Sequence, residues 1–181
     1  AEHGFSRMLR DRSRYMLDEL LADTDRGHDI RATVFIECRS MYRAEGAKAL
    51  RSVGETEFVN GVAAVAASGV YGDTRACAGI VGHADLRLGA DVAEVLEAHL
   101  AAGQGRFRGI RHSAAYDADE NVLGPLSTRG TPAHLLRDAD FRKGFAELAP
   151  RGLSFDAWLL EPQLPDLVDL ARAFPDTAIV L

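Results

Sequence analysis

The run Ala178-Ile179-Val180-Leu181 is short and apolar and is followed by neither a turn nor a cap, the character of a buried strand. Four earlier segments share that character: Thr33 to Cys38, Ala76 to Gly82, Arg106 to Arg111 and Leu153 to Leu159. Stretches with helical spacing separate them. Glu55 to Ala67 alternates apolar and small residues and stops at Ser68-Gly69. Asp91 to Gly103 puts Val92, Val95, Leu96 and Leu100 on one face, with Asp91 and Glu94 in its first turn and Gly103 as terminator. Asp138 to Ala149 and Pro165 to Phe174 continue the series, and Arg10 to Asp23 reads as an amphipathic helix ahead of the first strand. Strands alternating with helices, with little hairpin chemistry between them, predict an α/β fold with a parallel sheet and helices outside it. The expected architecture is a run of (β/α) units forming an incomplete TIM barrel, with an open doubly wound sheet as the alternative. The absence of a glycine-rich phosphate loop favours the barrel. Residues 1–181 read as one domain, and the strand at the terminus leads us to expect a fragment of a longer enzyme, a truncated product or an ordered portion, with part of the site elsewhere.

Composition narrows the function classes. The chain has 181 residues, is 47% hydrophobic and carries a net charge of −6, which suits a packed core. Its 21 basic and 27 acidic residues are interspersed, so no basic stripe offers itself to nucleic acid or to an anionic membrane. No stretch of about 18 apolar residues occurs, and Glu2 to Arg7 has no signal-peptide pattern. Cys38 and Cys77 each fall in an expected strand and read as free thiols of a reduced, cytoplasmic protein. The expected partner is a small-molecule substrate, with neither nucleic acid nor membrane, and with homo-oligomerisation open.

In a parallel barrel, chemistry gathers where strands end. The first strand ends Ile36-Glu37-Cys38-Arg39, and Glu37 reads as a metal ligand, a general base, the anchor of an arginine, or one half of an internal ion pair. The second continues into His83-Ala84-Asp85, where Asp85 either joins the imidazole in proton transfer or metal binding or simply caps a helical turn. The third, Phe107-Arg108-Gly109-Ile110-Arg111-His112, gathers two guanidinium groups and an imidazole. Arg108 and Arg111 can both reach a site only if a bulge intervenes or one of them lies beyond the strand, and the alternative for either is pairing with Glu37 or Asp156. After the fourth strand, Glu161 and Gln163 either face a ligand or open the next helix with Pro162. Tyr116 to Arg137, with Gly124-Pro125 and Gly130-Thr131-Pro132, reads as a long loop over the strand ends. No Gly-x-Ser-x-Gly elbow, Cys-x-x-Cys pair or His-Glu-x-x-His helix occurs.

Taken together, Thr33-Val34-Phe35-Ile36-Glu37-Cys38, Gly54-Glu55-Thr56-Glu57-Phe58-Val59, Ala78-Gly79-Ile80-Val81, Phe107-Arg108-Gly109-Ile110-Arg111-His112 and Phe155-Asp156-Ala157-Trp158 with Pro162-Gln163-Leu164 resemble the amidohydrolase-related family, nearest its sugar-lactonase and pyrone-dicarboxylate-lactonase-like branch. The resemblance implies about strands 2 to 6 of a distorted (β/α)₈ barrel, which hydrolyses a lactone or related C–O or C–N bond with activated water. It implies a divalent metal, zinc first, in some members and none in others. The family's His-x-His pair, a further histidine and a late aspartate would fall outside this chain, and Glu161 stands where relatives often carry a histidine. Arg111, His112 and Arg108 would bind substrate, with Glu37 and Gln163 shaping the pocket. The alternative is a non-catalytic α/β small-molecule-binding module or an inactive fragment.

Overall fold

The computed structural model describes residues 14–123 and 130–181. Part of the expected Arg10 to Asp23 helix, the Glu2 to Arg7 start and Gly124-Pro125 lie outside the described residues. The elements follow one another as α1 (Leu17–Thr24), β1 (Ala32–Ile36), α2 (Val53–Ala66), β2 (Arg75–Gly82), α3 (Val92–Gly103), β3 (Phe107–Arg111), the single turn α4 (Glu120–Leu123), α5 (Ala139–Phe145), β4 (Ser154–Asp156), α6 (Leu164–Ala173) and β5 (Ile179–Val180). All four strand pairings are parallel and the spatial order is β1-β2-β3-β4-β5. That order never reverses, so the sheet has no switch point of the doubly wound kind. It is a curled half-barrel, an incomplete TIM barrel.

Register explains the burial. Phe35 pairs with Ile80, and Ile110 with Phe155, which pairs with Ile179. This row packs against Val59, Val95, Leu96, Phe141, Phe145 and Leu170 from the helices. The opposite face of the sheet carries Val34 and Val180, 61% and 53% exposed.

Two irregularities bend the sheet. Between Ala32 and Val34 the β2 partner advances from Arg75 to Gly79, a bulge in which Cys77 adopts a left-handed φ of 53° and Thr33 Oγ1 accepts from its N–H at 2.9 Å. Between Ile80 and Val81 the partner skips from Phe107 to Gly109, so Arg108 is the extra residue of a second bulge. A bulge is thus present at Arg108, upstream of Arg111 on the same strand.

Two expected strands stop two or more residues before their apolar runs end. β1 stops at Ile36, which leaves Cys38 exposed beyond it, because the Glu55 carboxylate of α2 accepts from Cys38 N–H (3.1 Å) and Ser40 N–H (2.7 Å) and draws the backbone off the ladder. β4 stops at Asp156, after which Ala157 N–H donates to the Val180 carbonyl and Ala114 N–H to the Trp158 carbonyl. No helix among the described residues is long and apolar enough to cross a membrane.

Candidate functional site

The exits of β1, β2 and β3 converge on a cavity of about 290 Å³ lined by Arg39, Tyr42, His83, Arg87, His112 and Ser113, and roofed by Gly130, Thr131 and Leu135. The roof comes from the long loop expected over the strand ends. It is held by Asp166 in the first turn of α6, a buried carboxylate that accepts from His134 Nδ1 at 2.7 Å and from Arg137 Nε at 2.5 Å. Burial alone would raise that carboxyl, but the hydrogen bonds from His134 and Arg137 hold it below the usual range.

Each exit is shaped by local chemistry. After β1 the chain turns through left-handed residues at Arg39 (φ 61°) and Met41 (φ 51°), a conformation uncommon outside glycine. The Glu55 contacts to Cys38 and Ser40 clamp both sides of Arg39 and so sustain it. After β2, Asp85 caps the 3₁₀ turn Leu86–Asp91 by accepting from Arg87 N–H at 3.1 Å. It also takes two bonds of 2.8 Å from the Arg87 guanidinium. Burial pushes the Asp85 carboxyl up, yet Arg87 and the nearby His112 hold it below its ordinary range. The capping alternative for Asp85 is the one realised.

Two imidazoles define the chemistry of the cavity. His83 Nδ1–H donates to the Arg111 carbonyl at 3.0 Å, which leaves Nε2 as the acceptor. His112 Nδ1 accepts from Leu86 N–H at 3.2 Å, which leaves the proton on Nε2. These tautomers are assigned from the hydrogen bonds. The rings meet edge to face with centroids 5.3 Å apart. Burial, first of all, lowers both pKa values, and Arg39 and Arg87 add to the effect, so both rings are neutral near pH 7. One ring therefore offers a lone pair and the other an N–H in the same polar cavity.

Behind the cavity stand a buried acid, Glu55, and a half-buried one, Glu37. Burial, then the neighbouring Glu55, pushes Glu37 up to about 6. Its Oε2, Glu55 Oε2, the Tyr42 hydroxyl and Ser113 Oγ are shielded from solvent without a hydrogen-bond partner. Burial together with Glu55 and Glu37 raises the Tyr42 pKa, so the phenol stays a donor.

Of the residues expected at the site, His112 lines the cavity. Arg111 lies beside it, its Nε donating to Asp156 Oδ1 at 2.6 Å and its guanidinium 6.0 Å from the Trp158 ring. Gln163 is buried as a backbone clip, accepting from Leu160 N–H and Tyr116 N–H and donating to the Tyr116 carbonyl, and Glu161–Gln163 is the turn that opens α6. Arg108 is exposed over Gly79 and Val34, away from the cavity. Tyr42, Arg87 and Ser113 went unmarked in the sequence. Ser113 follows directly on the Arg111-His112 pair and had a positional signal. Tyr42 and Arg87 sit in connections whose path only the fold reveals. Among the described residues no three His, Cys, Asp or Glu side chains gather to hold a metal.

Comparison with known proteins places this geometry. The model of the amidohydrolase family matches residues 19–181. The uncharacterized protein y4mH of Sinorhizobium fredii is 33% identical over 167 residues, covering 92% of this chain and 48% of y4mH, so the chain spans about half the length of that relative. Two crystal structures of an amidohydrolase from Burkholderia multivorans, one with bound HEPES and one with bound zinc, are 28% and 29% identical. Each match covers 70% of this chain and 36% of theirs, with TM-scores of 0.46 and 0.47.

Proposed function

Because the chain belongs to the amidohydrolase family, we propose that it forms part of a cytoplasmic hydrolase that opens a lactone, or a related C–O or C–N bond, of a small polar substrate with activated water. The observation that carries this reading is the pair of neutral imidazoles, His83 and His112, set in one cavity with opposite hydrogen-bonding character. In this reading His112 Nε2–H donates to the substrate carbonyl oxygen and steadies the negative charge that develops there. His83 Nε2 takes the proton of the attacking water, whose oxygen bonds to the carbonyl carbon. The C–O bond of the ring breaks, and the departing oxygen receives that same proton from His83 Nε2, which returns the imidazole to its neutral state. Arg111 orients His83 through its carbonyl and, beside the cavity, pairs its guanidinium with Asp156, while Glu37 and Gln163 shape the pocket.

A divalent metal supplies Lewis acidity in such chemistry, and the relative from Burkholderia multivorans carries zinc. The described residues do not assemble a ligand set of their own, so none of these steps is routed through a metal.

The test is hydrolysis of a panel of sugar and simple lactones by the full-length protein, with and without chelator. His112→Ala and Arg111→Ala should each lower kcat/KM by roughly 10- to 100-fold, since loss of a strong polar contact costs about 1.5 to 3 kcal/mol. Values within about twofold of the unmodified protein, with circular dichroism unchanged, overturn the assignment.

A further inference from the structure

We infer that His99, on α3 and outside the cavity, is a positioning residue that fixes the backbone and thereby the ring of His83. The inference rests on the proposed role of His83 in hydrolysis. His99 is fully buried in the helical layer, where an imidazole has no solvent to satisfy it. Its Nδ1 lies 2.8 Å from Thr56 Oγ1, and its Nε2 lies 3.0 Å from the His83 carbonyl and 3.3 Å from Ser52 Oγ. A carbonyl can only accept, so Nε2 carries the proton and donates to His83, and Nδ1 accepts from the Thr56 hydroxyl. The opposite tautomer would set a bare nitrogen lone pair against the carbonyl oxygen.

Packing holds the ring in that plane. His99 stacks on Phe107 of β3 with centroids 4.9 Å apart and planes 10° from parallel. A Cβ at Gly82 would come within 3.3 Å of the His99 ring and 2.9 Å of Phe107, so the strand admits the imidazole because residue 82 is glycine. The relay is continuous. Thr56 on α2 and Ser52 just ahead of that helix orient His99, His99 grips the His83 carbonyl, and His83 Nδ1–H is held in turn by the Arg111 carbonyl. Both the main chain and the side chain of His83 are thereby anchored, and its free Nε2 is left as the acceptor in the cavity. A core histidine with only a packing role would not need its donor aimed at the backbone carbonyl of a cavity imidazole.

The test reads the His83 ring directly, by nitrogen-15 and proton NMR of the protein labelled at histidine, near pH 7. In the unmodified protein His83 should appear as one tautomer, protonated on Nδ1. His99→Leu, which keeps bulk but removes the donor, should produce mixed tautomers or an averaged signal at His83. His99→Gln, whose amide can donate to the carbonyl and accept from Thr56, should restore the single tautomer. In the lactone assay His99→Leu should lower kcat and leave KM within about twofold. An unchanged His83 tautomer in His99→Leu, or equal disturbance in His99→Leu and His99→Gln, overturns the inference. If the His83 signals respond as expected while neither variant alters hydrolysis, positioning stands and the hydrolytic role of His83 falls.

Discussion

The partly buried Glu37 and the buried His99 affect stability in opposite directions with pH. Burial pushes the Glu37 carboxyl up to about 6 from its ordinary 4.5, so the folded state keeps a proton that the unfolded chain has released. Its stabilising contribution is complete below pH 4.5 and is lost as pH rises toward 6. Burial lowers His99 to about 4 from 6.5, so its contribution is present above pH 6.5 and is lost as pH falls toward 4. Glu37→Gln removes the first effect. Urea unfolding should show the variant gaining on the unmodified protein by about 2 kcal/mol between pH 4.5 and 6, with no further gain at higher pH. A difference that does not vary with pH would mean that the carboxyl is hydrated in solution.

At the scale of elements, the tightest junction is that of α5 with the turn Leu86–Asp91. Gly144 lies against this turn, and a Cβ there would run into the Leu86 carbonyl oxygen, which belongs to backbone and cannot swing away. Helix propensity favours alanine over glycine by up to about 1 kcal/mol, whereas overpacking of a buried contact costs about 1 to 3 kcal/mol. The collision should win, so Gly144→Ala should destabilise the protein in thermal unfolding. It should also loosen the cavity, because Leu86 N–H is the donor that orients His112. A stabilised variant would show that the helix can shift away from the turn. The Asp166 clamp works in the same way, since one side chain at the start of α6 secures the loop that carries Leu135 to the cavity roof.

At the scale of the whole molecule, the sheet has one face covered by helices and one that carries exposed apolar residues. Val34 and Val180 stand on that second face, and β1 and β5 are its edges among the described residues. Unpaired strand edges and exposed apolar faces favour association. The 181-residue chain expressed alone should therefore show a concentration-dependent mass in light scattering, and the pair Val34→Lys and Val180→Lys should lower it. A monomer at every concentration would mean that this face is tolerated in water.

The amino-acid sequence by itself determined the succession of five strands and their helices and the strand ends where polar residues collect, and offered the Asp85 and Glu161 turns as one of two readings, because apolar period and capping chemistry are local properties. It raised the question of a bulge between Arg108 and Arg111 but not where Arg108 goes: a bulge is present, and Arg108 still lies away from the cavity. Only the tertiary structure decided which buried polar groups met. Glu55 clamps the exit of β1 from 15 to 17 residues away in sequence, Thr56 meets His99 across 43, and Gln163 reaches Tyr116 across 47. Those partners leave no periodic trace, since a glutamate in a first helical turn or a histidine on an apolar face looks the same whether it faces solvent or a carbonyl. Burial makes the difference: once water is excluded, each donor and acceptor must be matched by whatever the fold brings beside it.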